Sequence, residues 1–477
     1  MNRLPAEVLT EIFAFLHPRI LHRYLPLIRA THVCRHWRNV ISSTPGSWTW
    51  INPKWGGLLP LLLRLSRSAP IEVEVSSLGS LTRGFVDLLP HCERVASFTL
   101  EFSVATHGDF FQIVSRLRYM PNLRALSIIA EPGIAPYRLP ILSGGMPHLE
   151  SISLSLFSYG DQVVQLTQLT EVNITVQCST LTDVVRLFAN NPKLRSATLC
   201  GLLRNQRHQQ QHGAVRMDFL RQLDLISWSA SSLLPFLTLN KGAHIRVFGL
   251  TTILEKIGGL DLFPSDTKIL PNLVGLKQLH WYFTTHDTLM EFTGPNGGFS
   301  ILLPQPEVHV FSTDSLPLGE VEELYCEFGS TPGLVTGTDE SNRIVASMVP
   351  TMNQLRKVTF AMCTNSLVQA ILSNLNPVAH LKYINLSHCD HPDPTHEIFH
   401  ALLLFAKGRK SMDAKLEEIR VVCRAPPQRP GFLDLWLSQV VKSFVLVHQS
   451  PSEARRTNIE IRRDFPASIR KTYSLHS

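Results

Sequence analysis

Apolar residues in the first fifty positions follow a helical rhythm. Leu9, Ile12, Phe13 and Leu16 recur at i, i+3, i+4 and i+7, the stripe of an amphipathic helix. Pro5 suits the first turn, where its missing N–H is no loss, and Glu7 and Glu11 favour the positive helix end. His17-Pro18 ends the pattern. A second helix is predicted from about Pro26 to Ile41, with Val33, Cys34, Trp37, Val40 and Ile41 on one stripe and His32, Arg35, His36, Arg38 and Asn39 on the wet face. Ser43-Thr44-Pro45-Gly46 reads as a turn, and Trp48, Trp50 and Ile51 as an apolar tail. A helical unit this small cannot bury all its own apolar groups. Leu4, Val8, Leu9 and Ile12 exceed what one partner helix covers, so an apolar surface patch is expected.

From about residue 70 the rhythm changes to apolar-x-x-apolar-x-apolar. Twelve units carry it: VASFTL from Val95, LRALSI from Leu123, LESISL from Leu149, LTEVNI from Leu169, LRSATL from Leu194 and LRQLDL from Leu220, then IRVFGL from Ile245, LKQLHW from Leu276, VEELYC from Val321, LRKVTF from Leu355, LKYINL from Leu381 and LEEIRV from Leu416. Each predicts a short strand, entered through a turn such as Met120-Pro121-Asn122 or Asn191-Pro192-Lys193 and succeeded by helix-capable sequence such as 181–190. Most spacings lie near about 25 residues, the period of leucine-rich repeats, in which one strand and one helix cannot seal their own apolar faces but stacked neighbours can. The pattern resembles irregular leucine-rich repeats, best at Leu381-x-x-Ile384-x-Leu386-Ser-His-Cys389.

Three stretches interrupt the stacking and read as loops: 204–213, 294–307 and 329–342. After Arg424 the run APPQRP ends the repeats. Phe432, Leu435, Trp436, Val440 and Phe444 then predict a helix over 432–447, which caps the last repeat, and a weakly ordered tail over 448–477. The expected organisation is a helical region at 1–51, a linking segment at 52–69, repeats over 70–424 and a C-terminal helix with tail over 425–477. The fold class is α/β.

Composition narrows the functions. Of 477 residues, 44% are hydrophobic and 17% charged, a globular balance. The net charge of +7 is spread thinly, and no dense Lys/Arg tract marks nucleic-acid contact. The longest apolar run, Leu58–Leu65, contains Pro60 and Arg64 and is too short to span a bilayer, which takes about 20 residues. The start, MNRLPAEVLTEIF, does not read as a signal peptide. Eight scattered cysteines without C-x-x-C spacing fit buried thiols in a reducing compartment. The expectation is a protein of the cytosol or nucleus, with neither nucleic acid nor membrane as partner. Asn173 and Asn385 fit the glycosylation pattern by accident, since both fall in predicted strands.

L-P-x-E-V-L-x-E-I-F, a gap, H-V-C-R-H-W-R, then S-T-P-x-x-W resembles an F-box, in the form found in a large group of fungal F-box proteins, with Gly46-Ser47 departing from the usual residues before the tryptophan. The resemblance covers residues 3–51. It implies docking onto the linker subunit of an SCF-type ligase and through it onto a cullin. The contact set it implies is Leu4, Pro5, Val8, Leu9 and Ile12 from the first segment, completed or braced by Val33, Cys34, Trp37 and Arg38 from the second. The repeats would then hold an unknown target protein.

Two constellations suggest metal chemistry instead. His32, Cys34 and His36 are close in sequence, but on a helix Cys34 points away from both histidines, and a zinc site needs its ligands on one side. His396-Glu397-Ile398-Phe399-His400 matches H-E-x-x-H, which on a helix places two zinc ligands and a general base on one face. His388, Cys389, Asp390 and His391 lie near it, and Glu417 or Glu418 is a conceivable third ligand. With 20 histidines in the chain and Pro394 just ahead of the motif, exposed histidines are the favoured reading. G-x-S-x-G, G-x-x-x-x-G-K-[ST] and G-x-G-x-x-G are absent. The leading expectation is thus a target-recognition adaptor of a cullin-based ubiquitin ligase, not an enzyme, with no cofactor and no metal. The alternatives are a repeat scaffold without a ligase role and, remotely, a zinc hydrolase.

Overall fold

The computed structural model describes residues 4–16, 24–75, 86–102, 120–130, 146–157, 165–204, 214–226, 233–248, 270–283, 287–304, 316, 318–328, 347–361, 363–375, 378–387, 396–423, 437 and 439–448. It divides into two compact units, Met1–Asn240 and Lys241–Ser477. The first opens with helices α1 (Ala6–Ala14), α2 (Leu25–Thr31), α3 (Arg35–Ser43) and α4 (Leu59–Leu65). Leu9, Phe13, Tyr24, Leu27, Ala30, Val40, Ile41, Trp48, Trp50 and Leu62 form their common core.

The single helix expected from Pro26 to Ile41 is corrected: two form. Cys34 takes an extended conformation (φ −159°, ψ 170°) and its Sγ accepts from the Trp37 N–H, capping α3. Arg38 Nε donates to the Thr31 carbonyl at the end of α2 (3.0 Å). A side-chain acceptor at the N-cap compensates an orphan helix N–H, which is why the break falls here. The single stripe is therefore divided: Val40 and Ile41 are buried, Cys34 and Trp37 half-buried, and Val33 exposed.

The remainder of the first unit is a parallel sheet. Strands β1 (Trp50–Ile51), β2 (Ile71–Val75), β3 (Val95–Phe102), β4 (Ala125–Ala130), β5 (Ser151–Phe157), β6 (Glu171–Thr180) and β7 (Ser196–Arg204) pair in chain order. β8 (Val215–Met217) and β10 (Leu237–Leu239) pair aside, and β9 (Gln222–Ile226) continues the sheet after β7. The period-two alternation of strands assigns each side chain a column. Val73, Phe98, Leu126, Ile152, Val172, Ala197 and Leu223 share register and are all buried, as are Val75, Leu100, Ile128, Leu154, Ile174, Leu199 and Leu225. A fully buried aliphatic or Phe side chain contributes about 1.5–3 kcal/mol, and each is covered by its neighbours in the next repeat. Helix α5 (Leu181–Asn190) closes one repeat, over the residues whose sequence reads as helix-capable.

The second unit repeats the scheme with one insertion. β11 (His244–Phe248) pairs with β14 (Gly297–Pro304), and the antiparallel strand β13 (Asp287–Gly294) lies between β14 and β12 (Gln278–Phe283). From β12 the parallel order runs through β15 (Glu323–Phe328), β16 (Lys357–Ala361), β17 (Tyr383–Ser387), β18 (Glu418–Cys423) and β19 (Ser443–His448). The β13–β14 hairpin fills the long step between Leu276 and Val321. It also corrects the loop expected at 294–307: Gly294 and Gly297 flank the turn, and Phe299 to Leu303 is strand. Gly297 has φ +122°, and a Cβ there would lie 2.6 Å from the Ala243 carbonyl, so glycine is required. Helices α6 (Asn365–Asn374) and α7 (His396–Ser411) pack against each other and bury Leu367, Val368, Ile371, Leu372, Leu402 and Phe405.

All twelve repeat units contain a strand beginning within two residues of the first apolar position. The expected helix over 432–447 is corrected: Ser443–His448 is a strand paired with β18, because its β-branched, aromatic run SFVLVH continues the ladder. The expected loops at 205–213 and 329–342, residues 388–395 including Cys389, and the tail from 449 lie outside the described residues.

Candidate functional site

Helix α1 carries two apolar stripes. Leu9 and Phe13, one turn apart, face the core at 0% and 1% exposure. Val8 and Ile12 form the second stripe, exposed at 43% and 40%, extended by Leu4 (38%) just before the helix and Phe15 (74%) just past its end. At 100° per residue the stripes diverge by about a quarter turn, enough for the unit to cover only one. Pro5 is exposed too. Leu9 is thus corrected from a surface contact to a core residue. Arg38 is exposed, and Trp37 packs edge-on against Phe13 with centroids 5.2 Å apart. His36 Nε2 lies 3.2 Å from the Leu4 carbonyl, tying α3 to the start of the exposed stripe.

An aromatic cluster, of which Trp48 and Trp50 read in sequence only as an apolar tail and Trp55 does not stand out, joins these helices to the sheet. Tyr24 stacks on Trp48 (5.8 Å) and meets Trp55 edge-on (5.3 Å), while Trp50 meets Trp55 at 5.1 Å. The Tyr24 hydroxyl donates to the Trp50 carbonyl. Burial, and after it the nearby Glu72 carboxylate, raises the Tyr24 pKa far above the usual phenol value, so it serves as a neutral donor. Trp48 Nε1 donates to the Ile41 carbonyl (2.9 Å), and Trp50 Nε1 to Glu74 Oε2 on β2 (3.1 Å). The N-terminal helices and first strands thus share one core.

The sheets offer a second kind of surface. In the first unit the alternate columns are small and polar: Ser97, Ala125, Ser151 and Ser196 in one, Thr99, Ser127, Ser153 and Asn173 in the next, with Glu72, Glu74 and Glu171 among them, while Thr198 and Asp224 at the β7–β9 pairing are buried. In the second unit the same columns hold His280, Tyr325, Lys357, Tyr383 and Arg420. Tyr325 and His280 meet edge-on at 4.3 Å beside the buried Glu327.

The residue after each leading Leu or Val forms a rim row, because its N–H donates to the rim carbonyl of the preceding repeat. Glu150 to Arg124, Arg195 to Thr170 and Arg221 to Arg195 are 2.8 Å each; Glu322 to Lys277 and Arg356 to Glu322 are 2.7 Å, and Lys382 to Arg356 is 2.8 Å. In the second unit Glu322 lies 2.7 Å from Lys277 and 3.9 Å from Arg356, and Lys382 lies 2.8 Å from Glu417. The Lys277 hydrogen bond holds the Glu322 pKa below the ordinary carboxylate value; Glu417 is lowered by Lys382 and then Tyr383, and in turn raises Lys382.

The constellation at His32, Cys34 and His36 does not assemble. His32 is exposed, His36 is engaged with Leu4, and Cys34 is a helix cap. His400 is exposed on α7, at a groove lined by Gln369, Leu372, Ser373, Ala401, Leu404 and Phe405. The side chains of His396 and Glu397, and residues 388–391, lie outside the described residues. Among the described residues no three His, Cys, Asp or Glu side chains gather as a metal site, and no helix is long and apolar enough to cross a membrane.

Comparison with known proteins agrees with the N-terminal geometry. No curated protein matches the chain. Among solved structures, an internalin from Listeria monocytogenes aligns over 76% of this chain and 89% of its own, at 11% identity and a TM-score of 0.28. The F-box-like family matches residues 1–53, the segment holding α1 to α3, Trp48 and Trp50.

Proposed function

We propose that this chain is the target-recognition subunit of an SCF-type (cullin) ubiquitin ligase, working in the cytosol or nucleus. The observation that carries the reading is the uncovered stripe of Val8 and Ile12 on α1 with Leu4 just before it, inside the segment that matches the F-box-like family. Pro5, Val33 and Arg38 are exposed and complete the proposed contact with the linker subunit; Cys34 and Trp37 brace it from beneath. Phe15 joins the contact, and Leu9 supports it from the core. The motif has the form found in fungal F-box proteins. Contiguous apolar surface rimmed by polar residues marks interaction sites.

The sheets hold the target. The chain makes no bond itself: it raises the effective concentration of target lysines at ubiquitin carried by another subunit. The shared aromatic core of Tyr24, Trp48, Trp50 and Trp55 supports this role, because it keeps the docking helices and the first repeats in one body. Affinity purification of the full chain under proteasome inhibition tests the reading, comparing wild type with Leu4→Ala/Ile12→Ala. Recovery of a linker subunit and a cullin with wild type, and its collapse in the variant, is expected. Equal, negligible recovery of both contradicts the ligase role.

A further inference from the structure

The two rim rows treat charge differently. In the second unit the row runs Lys277, Glu322, Arg356, Lys382, Glu417, and every cation has a carboxylate beside it. In the first unit Arg124 pairs with Glu150 at 3.7 Å, Thr170 comes next, and then Arg195 and Arg221 stand side by side on adjacent strands. The Arg221 N–H donates to the Arg195 carbonyl, so their backbones are one strand spacing apart, about 4.8 Å. Both side chains are exposed, and among the described residues neither has a carboxylate within ion-pair distance. Lys193, exposed in the turn before Arg195, extends the cationic run. Nearby acids are committed elsewhere: Asp218 pairs with Arg216 at 2.8 Å, and Glu171 accepts from the Ser151 hydroxyl at 3.4 Å, on the side away from Arg195. Like charges on neighbouring strands are unfavourable, and the second unit shows how the same fold neutralises them.

We infer that Lys193, Arg195 and Arg221 form a docking rim for an acidic, extended segment of the target protein. This rests on the reading of the sheets as the target-binding part. The arrangement favours spaced carboxylates over a single phosphate. The backbone N–H groups of Arg195 and Arg221 are used in the ladder, so none converges into a cradle. The donors are instead two guanidinium forks and an ammonium spread along the sheet edge. A guanidinium fork matches a carboxylate bidentately, and alternate side chains of an extended strand lie about 6–7 Å apart on one side, within reach of two such forks. The ligand is confined to the β7–β9 end, because the rim is neutralised at Arg124 and Glu150.

Fluorescence anisotropy of the purified full-length chain with a labelled Asp-Ser alternating dodecapeptide, at low salt and without linker subunit, tests this independently of the ligase role. Wild type is expected to bind, with affinity falling as salt rises. Arg195→Glu/Arg221→Glu is expected to weaken binding by about tenfold or more, and Arg195→Gln/Arg221→Gln by less. The charge-matched Lys54→Glu/Lys415→Glu, with Lys54 and Lys415 exposed and outside the rim, is expected to change it less than about twofold. Absence of binding, equal losses in the rim and control variants, or tighter binding of an otherwise uncharged peptide carrying one phosphoserine would overturn the assignment.

Discussion

Phe98 and Val8 are both apolar side chains on regular elements of the first unit, yet Phe98 is sealed and Val8 is 43% exposed. The difference lies in the neighbours that the chain supplies to each. Phe98 sits between Val73 and Leu126 in register, so the repeats on either side supply its cover. Helix α1 has no such neighbour for its outer stripe. Its inner stripe is closed by α3 and the tryptophans, while Leu4, Val8 and Ile12 remain outside. Full burial of one such side chain is worth about 1.5–3 kcal/mol. The helix thus forgoes stabilisation that the sheet collects at every repeat, and a surface that forgoes it at Leu4, Val8 and Ile12 together is suited to a partner that supplies the cover.

The largest effect expected from this contrast is at Phe98. Phe98→Ala removes a ring with no room to collapse and costs about 3–5 kcal/mol, whereas Val8→Ala stays within about 0.5 kcal/mol. Chemical denaturation of both variants measures the gap; equal losses would mean that the outer stripe of α1 is sealed in solution. A polar version of the contrast comes next. Arg409 is 1% exposed and donates to the carbonyls of Val378, Ala379, Leu381 and Ala414, locking the turn into β17. Arg409→Met leaves buried acceptors unsatisfied and costs about 2–3 kcal/mol. The exposed Arg195→Gln is expected to leave stability unchanged within about 0.5 kcal/mol. Thermal melts separate the two, and an Arg409→Met melt like wild type would refute the locking role.

The repeats are legible in the sequence because each strand announces itself twice, through alternation and through the turn before it. The turn is physical as well as textual: the N–H groups of Leu123, Leu149, Leu194 and Leu355 each donate to the carbonyl three residues back, at 3.1–3.2 Å. Asn191, in one such turn, uses its side chain fully, accepting from the Leu169 N–H and donating to Leu166 and Leu187. Strands without that turn are harder to see. β14 is hidden by the glycines and proline of its hairpin. β19 is hidden by apolar residues that also fit a 3.6-residue period. In the N-terminal region the helix pattern is legible but its phase is not. Leu9 reads like Val8 and Ile12 until the positions of α3 and Trp48 decide which side is in. The break at Cys34 depends on a thiol cap, for which sequence gives only a weak signal. The rim cations Arg195 and Arg221 stand out only when strand register places them side by side.

The central claim, that the outer stripe of α1 is a docking face, is tested most directly by titrating the purified chain with an SCF linker subunit. Isothermal calorimetry on wild type and on Leu4→Ala/Val8→Ala/Ile12→Ala, with stability checked by denaturation, gives the answer. Tight binding by wild type and a loss of about 100-fold in the variant, at unchanged stability, is predicted. Equal affinity for both proteins would contradict the account.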